Sequence, residues 1–67
     1  MDLTDVEHRA QGIADQAHDP EAAHLAEDTL LVDVLTEIAT TSTDQRARAL
    51  ARAALATQDH ERERWYA

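Results

Sequence analysis

The sequence predicts an all-α fold: a small three-helix bundle with helices near residues 3–18, 20–40 and 43–57, and a C-terminal segment, 58–67, packed by Trp65 and Tyr66. Three observations predict it. Apolar residues recur at alternating three- and four-residue intervals, the spacing that draws one stripe along a helix. Helix-start chemistry stands ahead of each apolar segment, at Asp2 or Thr4, at Asp19–Pro20 and at Ser42–Gln45. The segment from Asp19 to Ala39 holds seven of the chain's twelve Leu, Ile and Val residues, which marks it as the central helix.

The first helix carries its stripe on Leu3, Val6, Ala10, Ile13 and Ala17. Thr4-Asp-Val-Glu7 has the form of a capping box, in which the threonine oxygen takes the N3 amide and the glutamate reaches back. Asp2 is the other capping candidate. Gly12 costs about 1 kcal/mol against alanine within a helix, a cost that close approach of a neighbouring helix would offset. The helix is expected to stop near His18, because Asp19 precedes proline and is pushed out of the α region.

The second helix starts with Asp19 as N-cap, Pro20 at the first helical position, where its missing N–H does no harm, and Glu21 at the positive helix end. At 100° per residue, Ala23, Leu30, Leu31, Val34, Leu35 and Ile38 form its main apolar arc, and Leu25, Val32 and Ala39 widen that arc beyond half the circumference. A helix this apolar packs on two sides. A break follows at Thr40–Thr43. Ser42-Thr-Asp-Gln45 reads as a second capping box, and the third helix presents Ala47, Leu50, Ala51, Ala54 and Leu55 with Arg46, Arg48 and Arg52 at its borders. Two courses are open for the tail: the third helix fades near Thr57 and the tail folds back, or it runs on to about Arg64. The only two aromatic residues, Trp65 and Tyr66, favour docking of the tail, since aromatic area left in water is wasted in so small a chain.

The chain of 67 residues has room for one helical domain, 1–67, and carries a net charge of −8. That charge is uneven. Residues 1–44 hold eleven carboxylates and one arginine, whereas residues 45–67 hold three carboxylates and five arginines. An acidic surface of this density repels nucleic acid and anionic lipid, so neither is an expected partner. Glu61 and Glu63 interrupt the basic end, so Arg46, Arg48, Arg52, Arg62 and Arg64 do not read as a direct nucleic-acid site. With no cysteine, disulfides and thiolate metal sites are excluded. No apolar run approaches the roughly 20 residues of a membrane span. The acidic opening Met1–Glu7 is unlike a secretory or transit signal. A cytoplasmic protein is the expectation. Cations that are all arginine, with abundant alanine, point to a GC-rich genome.

His24, Glu27 and Asp28 form the one polar cluster on the central helix, with His24 and Asp28 four residues apart on one side. With His8 or His18 they offer nitrogen and oxygen donors, yet no His-Glu-x-x-His spacing occurs, and an acid–base dyad would need a pocket that three short helices rarely provide. No enzyme activity, cofactor or metal is therefore expected. The cluster reads better as a latch in which Glu27 or Asp28 holds Arg64, and so seats Trp65 against the central helix. A different use of the acids is imitation of phosphates by Asp2, Asp5, Glu7, Asp15, Asp19, Glu21, Asp28, Asp33 and Glu37; a solvated acidic surface accounts for them as well.

The segments His24–Ala39 and Ala51–Thr57, with the closing Arg64-Trp-Tyr-Ala67, resemble small proteins of actinobacteria and their bacteriophages that end in Arg-Trp-Tyr-Ala or Arg-Trp-Cys-Ala. The resemblance covers residues 18–67 or so. It implies a phage or actinobacterial accessory protein, in the host cytoplasm if phage-encoded, and a His24–Asp28 cluster joined with the tail in one structural unit. It carries over no functional residue, and the stretch His60–Arg64 is more charged than its counterpart in that group. The expected function is a non-enzymatic protein-interaction module whose partner is another protein or a second copy, docking on Leu25, Val32, Leu35 and Ala39. The alternative is an acidic, nucleic-acid-mimicking inhibitor of a host DNA- or RNA-binding protein.

Overall fold

A computed structural model describes residues 1–58. They form three α-helices and no strand: α1 (Leu3–Asp15), α2 (Pro20–Thr41) and α3 (Gln45–Leu55). The all-α expectation holds. The segment expected to pack through Trp65 and Tyr66 lies outside the described residues. The chain divides into two compact units, Met1–Val34 and Leu35–Ala67, with the division inside α2.

In the first unit, α1 starts one capping register earlier than the Thr4 box. Asp2 is the N-cap: the Asp5 amide donates to Asp2 Oδ1 and the Asp2 amide donates to Asp5 Oδ2, both at 2.9 Å. This reciprocal pair satisfies two amides and places carboxylates at the positive end of the helix, so Asp2 displaces the threonine as cap. α1 ends at Asp15, three residues before the expected stop. Gln16 and Ala17 donate back three residues, to Ile13 and Ala14, and Asp19 does the same to Gln16 at 2.8 Å. These tighter turns let the chain leave the helix ahead of Pro20. Asp19 then caps α2 as expected, its Oδ1 accepting from the Ala22 amide at 3.2 Å. The four-residue connection, 16–19, restricts α1 and the start of α2 to an antiparallel pairing.

The stripe seated in this unit differs from the one read off the sequence. Val6 and Ile13 are half-buried as expected, but Leu3, Ala10 and Ala17 are exposed, and Arg9 and Gly12 are half-buried in their place. An ion pair accompanies this seating: Arg9 reaches Asp33 on α2 at 2.9 Å, while Ala17 lies beyond the end of α1. On α2, Ala22, Ala23, Ala26 and Leu30 recur at helical spacing as the covered face, and Leu30 is the one buried side chain of the unit.

In the second unit, α2 runs through Thr40 and Thr41 before it ends. Their hydroxyls donate to the carbonyls of Thr36 and Glu37, four residues back, at 2.8 and 2.7 Å, which satisfies these β-branched residues inside the last turn. α3 starts at Gln45, two residues after the expected start, because Asp44 is the better cap. Asp44 Oδ1 accepts from the amides of Arg46 and Ala47 at 2.9 and 3.2 Å, while Ser42 Oγ accepts from the Asp44 amide at 3.1 Å. A carboxylate facing two orphan amides outcompetes a neutral hydroxyl. Among the described residues of this unit the buried ones are both alanine, Ala39 on α2 and Ala51 on α3, small side chains that permit close approach of the two helices. Ala47, Arg48 and Leu55 complete the covered side of α3, and Arg48 Nε is buried with no hydrogen-bond partner among the described residues. Leu50 and Ala54, expected inside, are exposed.

Candidate functional site

The residues singled out on α2 fall into two groups. Leu25 is 68% exposed, and Leu31 on the same helix is also exposed. Val32 and Leu35 are half-buried. Ala39 is buried in the second unit, and this removes it from any docking rim: a side chain 4% exposed has almost no surface to offer a partner. In the first unit the expected partner surface therefore reduces to Leu25 with part of Val32, to which Leu31 is added; Leu35 belongs to the second unit.

His24, Glu27 and Asp28 are all exposed. His24 Nε2 lies 3.4 Å from Asp28 Oδ2, so the cluster's internal partnership is real, though it is a solvated contact and not a buried dyad. Among the described residues no group of three or more His, Asp or Glu side chains is placed to hold a metal ion. Arg64 and Trp65, the other half of the expected latch, lie outside the described residues.

Six of the nine carboxylates in the first unit have local work. Asp2 and Asp5 cap α1 together, Asp19 caps α2, Asp15 Oδ1 accepts from Gln11 at 3.0 Å, Asp28 meets His24 and Asp33 meets Arg9. Acids committed to helix ends and to near neighbours point in many directions. A row of phosphate mimics needs them on one line.

The first unit also holds an open groove of about 370 Å³, lined by Arg9, Gly12, Ile13, Gln16, Ala26 and Thr29. Its existence depends on two residues whose roles the sequence concealed. Gly12 was expected to admit a neighbouring helix, yet a methyl group built on it would meet nothing within 4 Å. Its missing side chain leaves space and not contact. Arg9 was one border residue among many in the sequence. The available signal was its isolation, since it is the only cation of the first 44 residues and has many carboxylates to choose from.

No helix among the described residues is long and apolar enough to cross a membrane. Comparison of the chain with protein-family models, with curated proteins and with solved structures finds no match.

Proposed function

We propose that this chain is a small acidic, non-enzymatic protein-interaction module, an accessory protein of an actinobacterium or its phage, that works in the cytoplasm through exposed faces of its helices. One observation carries the reading: apolar area is distributed outward. Leu30, Ala39 and Ala51 are the buried hydrophobic residues among those described, whereas Leu3, Leu25, Leu31 and Leu50 stand exposed. Single exposed leucines are ordinary. Four of the eight leucine, isoleucine and valine positions outside the Val32–Ile38 run left in water, against one fully covered, are more than a chain of this size can spare. A partner that covers them supplies the burial that the hairpins lack.

The commitment of carboxylates to caps and local pairs favours this reading over nucleic-acid mimicry. The two differ in their response to salt, because an apolar contact persists where a charge decoy is screened. The test is capture of partners from an actinobacterial lysate by the tagged chain and by a Leu25→Glu, Leu31→Glu variant, at low and high salt. The module reading expects a partner that the wild type retains at high salt and the variant loses. Partners that survive the leucine changes but vanish with salt would sink it in favour of the decoy.

A further inference from the structure

The exposed side of α3 is an unusual surface for a helix with a covered side of its own. Ala49, Leu50, Ala53 and Ala54 are all exposed, Leu50 by 61%, and Arg46 and Arg52 flank them, also exposed. The helix is seated with Arg48 turned in and Leu50 turned out, so the strongest apolar residue of its middle faces water. On the first half of α2, Leu25 and Leu31 are exposed together with Glu21, Glu27 and Asp28. Taken at 100° per residue, these five cover one broad side of that helix. One surface is apolar with cations at its edges, and the other is apolar with anions among its leucines. The α2 face runs from Glu21 to Leu31, about 16 Å of helix, and the α3 face from Arg46 to Ala54, about 13 Å.

We propose that the α3 face of one copy, Arg46, Leu50 and Ala53 with Arg52, docks on the α2 face of a second copy, Leu25 and Leu31 with Glu21, Glu27 and Asp28. This deepens the interaction-module reading and rests on it. Charge complementarity selects the occupant. Two copies meeting through their first units would each bring nine carboxylates and one arginine, which repel, and two α3 faces would set Arg46 and Arg52 against themselves. The mixed pairing alone puts arginines on carboxylates while it buries leucine on leucine. Alanines along α3 let the two helices approach closely.

Sedimentation velocity of the full chain over a range of concentrations tests the contact. The wild type is expected to grow in mass with concentration, and to do so less at about 1 M salt than at about 0.01 M, where the screening lengths are about 3 and 30 Å. Leu50→Asp is expected to weaken association about ten- to hundredfold, the factor that corresponds to one leucine's burial. Arg46→Glu is the guarded variant: a carboxylate in the first turn of α3 favours the helix, so lost association with helicity kept or raised cannot come from unfolding. The decisive step is mixing. Leu50→Asp and Leu25→Asp, Leu31→Asp proteins, each monomeric alone, are expected to associate when combined, because each retains the face that the other lost. A wild type that stays monomeric at high concentration overturns the self-contact, as does a mixture that fails to associate. If the chain is monomeric yet captures a Leu25-dependent partner from lysate, the self-contact fails and the module reading stands; if it does neither, both fail.

Discussion

Replacing Gly12 with alanine should stabilise this protein, and the reason lies in what surrounds the glycine. Gly12 sits inside α1, three residues before its end, with no left-handed backbone conformation to protect. Glycine within a helix is worse than alanine by about 0.8–1 kcal/mol, through the freedom it keeps in the unfolded chain and the backbone it exposes. The opposing term would be a clash, and the new methyl meets nothing within 4 Å. The methyl enters the open space beside the groove lined by Ile13 and Ala26, where it displaces no side chain. The balance is therefore the full propensity gain, about 0.8–1 kcal/mol, which in a domain of this size is about 4–8 °C in melting temperature. Thermal unfolding followed by circular dichroism, at one fixed protein concentration, is the assay. An unchanged melting temperature would mean that α1 is not helical at Gly12 in solution. A lowered one would mean that another helix, from a partner or a second copy, does approach there, and that the close-approach reading of the sequence was right for the assembled protein.

Asp2→Ala and Asp44→Ala should each cost about 0.5–2 kcal/mol in urea titrations, whereas Thr4→Ala, at the cap position the structure does not use, should change stability by less than Asp2→Ala does. A double-mutant cycle on Arg9 and Asp33 should return a coupling of about 1 kcal/mol or less, because the side chains are 36% and 45% exposed and water screens the pair; a coupling of several kcal/mol would show a buried contact. Leu30→Ala should cost about 2–5 kcal/mol and unfold much of the protein, while Leu25→Ala, on the exposed side of the same helix, should leave the monomer's far-UV spectrum intact.

The parts of the fold that were legible were those written in local chemistry. Asp19–Pro20 set the start of α2 within one residue, because the N-cap side chain and the fixed proline φ act without reference to the rest of the chain. The end of α2 was legible to a residue as well. Choices stayed open, or the α3 start fell two residues early, where two local signals competed. Both Asp2 and Thr4 could cap α1, and both Ser42 and Asp44 stood before α3. In each case the carboxylate won, since an ionised acceptor binds orphan amides more strongly than a hydroxyl. Which side of a helix is covered was less legible. For α1 and α3 the structure keeps Val6, Ile13, Ala47, Ala51 and Leu55 of the expected arcs covered, and turns in Arg9 and Arg48 where Leu3, Ala10, Leu50 and Ala54 were expected. Periodicity measures where apolar residues cluster on one helix; it cannot weigh an ion pair with Asp33, which lies on another helix.

That same mismatch ties the site to the fold. If α1 and α3 had been seated on their most apolar arcs, Leu3, Ala10, Leu50 and Ala54 would be inside, and the arginines would lie in water. The structure keeps Arg9 and Arg48 half-covered and leaves those apolar residues out. A hairpin that behaves so is less stable alone than its composition allows, and the lost burial is recoverable only by contact with another surface. The Leu50→Asp substitution isolates this point. In a monomer, Asp at an exposed helix position costs only its propensity, well under 1 kcal/mol. In an assembly built on Leu50, the same change removes a buried leucine and sets a carboxylate against Glu27 and Asp28. A small effect on unfolding at low protein concentration, together with a large one at high concentration, is therefore the signature of a face kept exposed for a partner. Equal effects at both concentrations would place Leu50 inside the folded chain and remove the basis for a docking surface on α3.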